Sequence, residues 1–316
     1  MSGKGMPEKV EEQRLQVVEK VLADMSERGV RWAENGWARR LSPVNASTGD
    51  AYRGGNRVHL AALAAIRGYG DQRWMTFNQA RKAGWRVRKG AKSCIVEKWK
   101  LFRFPADGGD ADGADEGGPY RAVPRCVGWW NVFNADEVEG VPPAPALRDV
   151  TPDAAGELAD RFIASSRCPV AEMVSDRAFY SPARDSLTVP LRGQFAANEG
   201  FLRVLLHEMS HSTMVPLGRD PGGPFGSESY AREELVAELG SMFAAADAGF
   251  DCVAMAAADP GEGYYGAHVG YLKSWMAALR EDPGELFRAA SKASAAADYL
   301  VGRLEGASGR AGLLAG

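Results

Sequence analysis

Two histidines four residues apart, with a glutamate directly after the first, form the segment His207-Glu208-Met209-Ser210-His211. On a helix, positions i and i+4 sit one above the other on the same face, so both imidazoles can reach a single ion. Imidazoles bind Zn2+ well, an open coordination position holds water, and a neighbouring carboxylate takes that water's proton as it attacks a carbonyl. The spacing therefore assigns His207 and His211 as metal ligands and Glu208 as general base. The plainer alternative is a helix that happens to carry two histidines. The chain has only four histidines in 316 residues, which makes that coincidence rare.

A third ligand is sought among the carboxylates of Ser229 to Leu239. Glu234 and Glu238 share one helical face beside an apolar stripe of Leu235, Leu239, Met242 and Phe243, where unpaired carboxylates would be costly. The cost disappears if Glu234 is the third ligand and Glu238, one turn on, accepts the second ring N–H of a ligand histidine. Glu233 is expected to face elsewhere and to pair with solvent or an arginine. Without the histidine motif, the same helix would read as a solvated acidic edge.

These groups need a scaffold, and the periodicities predict an α+β chain. Residues 8–28 read as an amphipathic helix with Leu15, Val18, Val21, Leu22 and Met25 on one side, and a second helix runs from Asn56 to about Gly68. Thr76 is placed to cap a short helix ending near Gly84. Ser93 to Phe104 and Arg121 to Phe133 read as strands around the Asp/Gly-rich segment 105–119, which is expected to be a disordered hairpin loop. Prolines cluster in 141–152, the predicted linker between an N-terminal unit (1–140) and a second unit (153–306), with a frayed Gly/Ala tail at 307–316. In the second unit a helix over 153–166 and short strands at 178–182 and 186–190 precede the metal helix (197–213) and the carboxylate helix (227–248). Helices near 267–279 and 284–304 follow. His268, Tyr264, Tyr265 or Tyr230 could add a donor to a transition state, although a polar surface position explains His268 equally well. His59 is expected to be solvated.

A 45% apolar content suits a soluble globular protein of about two domains. No apolar run approaches a membrane span and the first twenty residues are charged throughout, so no leader or anchor is expected, and the reading is cytoplasmic. Cys94, Cys126, Cys168 and Cys252 are scattered, which excludes a Cys-x-x-Cys zinc site and fits a reducing compartment. The net charge of −3 conceals an asymmetry: residues 31–104 hold sixteen Lys or Arg against Glu34, Asp50, Asp71 and Glu97, a local net of +12. Interleaved with Trp32, Trp37, Tyr52, Tyr69, Trp74, Phe77, Trp85 and Trp99, this block suits a single-stranded polyanion whose bases lie on rings while cations follow phosphates. A solvated basic face over an aromatic core is the alternative.

Beyond these patterns, the chain resembles a known family. Asn45-Ala46-Ser47-Thr48-Gly49, Tyr52-Arg53-Gly54-Gly55-Asn56, Arg73-Trp74-Met75-Thr76-Phe77-Asn78-Gln79-Ala80 and Gly84-Trp85-Arg86-Val87-Arg88-Lys89-Gly90 are similar to the N-terminal single-stranded-DNA-binding domain of ArdC-type antirestriction proteins, a pattern shared with plasmid TraC-type primases. Tyr180 to Pro190, the His207 motif and Tyr230 to Glu238 are similar to the ArdC zincin-like metallopeptidase domain. Two departures stand out: the 105–119 segment looks like an insertion, and Ser212 to Pro216 lacks the family's Thr-Gly-His run. The resemblance implies a mobile-element protein that guards incoming single-stranded DNA against restriction and binds one Zn2+. By match to the family pattern, Asn45, Tyr52, Arg53, Asn56, Arg73, Trp74, Lys89 and Lys92 are the candidate DNA contacts. Two functions remain open at this stage. One is a DNA-protection protein with a structural or weakly catalytic metal domain. The other is a working zinc endopeptidase that DNA binding delivers to restriction or DNA-bound regulatory proteins.

Overall fold

The computed structural model describes residues 6–29, 41–105, 120–144, 153–220, 223, 227–250, 252–257 and 262–314. Trp32 and Trp37, the 105–119 segment beyond residue 105 and the linker beyond residue 144 lie outside them.

The N-terminal half runs α1 (Glu8–Arg28), β1 (Val44–Asn45), α2 (Gly55–Arg67), β2 (Arg73–Thr76), α3 (Phe77–Lys82), β3 (Arg86–Val87), β4 (Cys94–Pro105), β5 (Tyr120–Asn134) and β6 (Val138–Glu139). Thr76 does cap α3: its hydroxyl takes the Gln79 N–H while the Gln79 side chain reaches back to Thr76, a reciprocal box that ends the strand and starts the helix. Four strands form one sheet in the order β1-β2-β5-β4, with β1 parallel to β2 and the other pairs antiparallel. β3 and β6 form a separate two-stranded ladder. Because β2 meets β5 only at Val132 to Asn134, the rest of the long β4–β5 hairpin is two strands wide. On α1 the buried stripe is Val10, Val17, Val18, Val21 and Met25, whereas Leu15 is exposed. The predicted stripe therefore turns by part of a helical turn, since α1 packs on both α2 and β4.

The second half runs α4 (Ala154–Ser165), β7 (Val170–Met173), β8 (Phe179–Ser181), β9 (Ser186–Pro190), α5 (Asn198–Ser212), α6 (Met214–Leu217), α7 (Glu228–Asp247), α8 (Cys252–Ala257), α9 (Glu262–Glu281) and α10 (Gly284–Leu314). Its three-stranded sheet has the order β7-β9-β8, which leaves β8 as an edge. α10 continues to Leu314, so the predicted frayed tail is helical through most of its length. α7 is buried on nearly all sides against α5, α9 and α10. Its crossing with α5 is close because Gly240 lacks a side chain: a Cβ there would lie 2.8 Å from Ser210 Oγ and 3.1 Å from Ser210 Cβ.

One continuous apolar core links the halves, from Val17, Leu60 and Trp74 through Phe162, Leu205 and Phe243 to Leu300. Polar groups pin the same junction. The buried Arg57 on α2 donates to Asp247 at the end of α7 (2.9 Å) and to the Phe243 carbonyl, with its guanidinium 4.1 Å from the Phe243 ring. The Gly54 N–H donates to Ser294 Oγ on α10 at 2.8 Å.

Candidate metal centre

α5 carries His207, Glu208 and His211, and α7 brings Glu234 against them. Each ligand-type atom lies close to the other two. His207 Nε2 and His211 Nε2 are 3.2 Å apart, Glu234 Oε2 is 3.3 Å from the first, and Glu234 Oε1 is 3.4 Å from the second. All three side chains are buried, and among the described residues this is the one cluster of metal-binding type. A tetrahedral ion with ligand bonds of roughly 2.0–2.1 Å requires donors roughly 3.3 Å apart. The two imidazole nitrogens have that separation and the two Glu234 oxygens each approach one of them, so the donor set is of a size to hold a divalent ion.

The outer nitrogens are held as well. His207 Nδ1 faces Glu238 Oε2 at 3.6 Å, and Glu238 in turn takes Arg203 at 2.8 Å. His211 Nδ1 faces Glu233 Oε1 at 3.4 Å, and Glu233 takes Arg219 at 2.7 Å. A carboxylate at Nδ1 keeps the proton there and leaves the Nε2 lone pair for an ion. Glu233 therefore does pair with an arginine but does not face elsewhere: it is buried in the site, because α7 turns Glu233 toward α5 alongside the face that carries Glu234 and Glu238. The sequence held a signal for this symmetry that pattern reading passed over, since Arg203 precedes His207 by one turn and Glu233 adjoins Glu234.

Charge is mutually sustained in this pocket. Burial opposes ionisation of Glu234, but His211 and His207 outweigh it and hold the carboxyl well below its usual range. Burial likewise opposes protonation of His207, yet Glu234 and Glu238 raise it to about 9. The protein thus keeps protons where a cation belongs. Glu208 is fully enclosed and burial pushes its pKa upward, against the pull of both histidines. Its Oε2 accepts the Tyr180 backbone N–H at 2.8 Å, which ties it to the edge strand β8. Tyr180 is itself anchored: its hydroxyl donates to Asp185 at 2.7 Å, and Asp185 pairs with Arg167. A carboxylate of raised basicity beside a ready ion pocket is the arrangement that general-base attack by water needs.

His268, Tyr264 and Tyr265 lie on α9, but their side chains fall outside the described residues. Tyr230, on the first turn of α7, packs partly buried against the core.

The candidate DNA contacts are scattered, and several have structural work. Trp74 is only 1% exposed and packs edge-on against Tyr69, so it offers no ring face to a base. Arg53 is committed to Asp247 and Asp298, and Arg73 to Asp71 and the Pro142 carbonyl. Asn56 bridges α2 to β4 by bonding both backbone groups of Glu97. Asn45 caps its own turn through Ser47 and Thr48, and its amide lies 3.4 Å from the half-buried Tyr52 hydroxyl. Lys89 and Lys92 alone of the set carry exposed side chains without such commitments, while the Lys92 backbone is bonded by Glu137 and Arg67. His59 is buried rather than solvated, held by Gln13 at 3.2 Å, and burial pushes its pKa down to about 3.

Residues 11–124 match the family described as the N-terminal domain of anti-restriction factor ArdC, and residues 157–292 match the zincin-like metallopeptidase family. The crystal structure of antirestriction protein ArdC from plasmid R388, metal-free, superimposes with a TM-score of 0.68 at 30% identity, covering 93% of this chain and 98% of that one. The chain belongs to the ArdC antirestriction family. The Mn(II)-bound ArdC structure from the same plasmid gives a TM-score of 0.65 at 29% identity, over 92% of this chain and 97% of that one. The uncharacterized protein y4eC of Sinorhizobium fredii is 34% identical across 90% of this sequence and 89% of its own. Two proteins named DNA primase TraC from Escherichia coli are 36% and 35% identical over 90% of this chain, which spans 19% and 27% of their lengths. ArdC membership accounts for the pairing of an ArdC N-terminal region with a zincin-like region. No helix among the described residues is long and apolar enough to cross a membrane.

Proposed function

We propose that this chain is a single-stranded-DNA-binding antirestriction protein of a mobile element, with one zinc ion held by His207, His211 and Glu234. In this reading residues 1–140 engage DNA, 141–152 connect, and 153–306 form the metal unit. The single observation that carries the metal assignment is the buried convergence of His207 Nε2, His211 Nε2 and the Glu234 carboxylate, with contacts of 3.2 to 3.4 Å between neighbours. A bound divalent ion would polarise a carbonyl and lower the pKa of water in its open position. Beside it, Glu208 accepts the proton from the attacking water and hands it to the departing amine, held in place by the Tyr180 N–H. Arg203 and Arg219 keep Glu238 and Glu233 ionised against the imidazoles.

The Mn(II)-bound ArdC structure supports a divalent ion, and the buried two-imidazole, one-carboxylate donor set favours zinc. Metal analysis of purified protein is expected to give one equivalent of zinc, lost in His207→Ala. Zinc-free protein, or full retention in that variant, overturns the assignment.

For the DNA half, labelled single-stranded and duplex oligonucleotides titrated at two salt concentrations are expected to show a salt-weakened preference for the single strand. Absence of binding at low salt would make the second reading primary: an active zinc endopeptidase whose substrate is a restriction or DNA-bound regulatory protein. The placement of Glu208 favours that chemistry, because a purely structural ion has no use for a buried base.

A further inference from the structure

The β4–β5 hairpin carries a surface that none of the DNA-contact candidates occupies. Along β4, residues 96, 98, 100, 102 and 104 point to one face. The bulge between Lys98 and Trp99 adds a residue to β5, so Trp130, Gly128, Arg125 and Val123 join that same face. At its inner end Val96 is buried in the core, and farther out the face opens to solvent. There Trp130 is 42% exposed and Phe102 38%, with Lys98, Lys100 and Arg125 exposed between them.

The rings and cations alternate in register. Lys98 Nζ lies 5.8 Å from the Trp130 ring, and the Arg125 guanidinium lies 4.7 Å from Phe104 and 6.0 Å from Phe102. Gly128 lets the Trp130 indole lie along the strand, since a Cβ there would come within 2.7 Å of the ring. The indole thereby lies against Gly128 and remains 42% exposed. Among the described residues, Lys98, Lys100 and Arg125 form no ion pair and no acid lies on this face; Glu97 lies on the opposite one, bonded to Trp99 Nε1.

We infer that this strip, Trp130, Lys98, Lys100, Arg125, Phe102 and Phe104, is the surface on which single-stranded DNA lies. Bases stack on Trp130 and Phe102, and the three cations neutralise phosphates between them. The inference rests on the single-strand reading above and locates it. Same-face positions repeat every ~6.7 Å, so Lys98 to Phe104 spans about 20 Å, room for roughly three to six nucleotides between fully extended and fully stacked limits. Duplex is disfavoured because its bases present no free faces to the rings.

The test is anisotropy of a labelled oligothymidine with the full chain and its variants across a salt series. Trp130→Ala and Phe102→Ala are each expected to weaken binding about tenfold with the salt slope unchanged. Lys98→Ala, Lys100→Ala and Arg125→Ala should each lower the slope by about 0.7. Trp130→Phe should recover most of the affinity, a rescue that mere loss of folding does not give. If the wild type binds and every strip variant binds equally well, the strip is not the site although the single-strand reading stands. Loss of self-association in those variants at unchanged DNA affinity would assign the strip to a second copy of the chain and likewise overturn the inference. No binding by the wild type at low salt removes the single-strand reading and the strip with it.

Discussion

Glu238 Oε2 lies 3.6 Å from His207 Nδ1, while its Oε1 takes the buried Arg203 guanidinium at 2.8 Å. The glutamate thus orients the His207 imidazole, a ligand in the proposed zinc site, and is itself neutralised from behind. Its conversion to Gln is expected to lower zinc affinity about 10- to 100-fold without unfolding the chain. Competition against a chromophoric chelator measures this, and an unchanged affinity would show that packing alone orients His207. Glu233→Gln should act alike through His211.

Glu208→Gln keeps the hydrogen-bonding shape beside the donor triangle but removes the base. In the peptidase reading, the variant is expected to retain its full equivalent of metal and to lose peptide hydrolysis by several orders of magnitude, which metal analysis and a casein-type assay read separately. Antirestriction activity that survives the change in a conjugation assay would separate DNA protection from peptidase chemistry.

Arg57 is almost wholly buried and satisfies Asp247 and the carbonyls of Leu41 and Phe243. Replacement by Met leaves Asp247 with only the more exposed Arg53 and two carbonyls without their donor across the junction of the halves. The expected cost is about 3–5 kcal/mol, a melting temperature lowered by roughly 10 °C. A shift below about 2 °C in calorimetry would mean that the apolar core alone holds α2 to α7.

Gly240→Ala is expected to destabilise by about 1–3 kcal/mol and to weaken metal binding together, because its Cβ forces α7 from the helix that carries His207 and His211. Adding Ser210→Gly removes the obstructing hydroxymethyl group and should restore both properties. Failure of the double variant to recover would place the damage elsewhere.

His59 is held neutral in the fold with a pKa of about 3, against 6.5 when exposed. Between those values the unfolded chain binds a proton that the folded chain refuses, so stability is complete above pH 6.5 and falls as pH drops toward 3. The loss is of order a few kcal/mol. Denaturant midpoints measured from pH 7 to pH 4 should fall less steeply in His59→Gln; parallel curves for the two proteins would exclude His59 as the source.

Local periodicity and spacing were legible in the chain before any fold was known. The His207, Glu208 and His211 motif declared its helix and a shared face for the two imidazoles, Thr76 declared the start of α3, and Glu234 and Glu238 declared themselves as carboxylates too costly to bury unpaired. These are relations within one turn or one element, where geometry is nearly independent of the rest of the chain. Tertiary structure decided everything that depends on which distant surfaces meet. It brought Glu233 to His211 and buried Trp74 and His59. It also assigned Arg53 and Arg57 to Asp247 across 194 and 190 residues. The basic block could not reveal which cations are neutralised within the fold, because charge density carries no partner information. The exposed strip on β4 and β5 needed the register and its bulge, since a single inserted residue decides which side chains share a face.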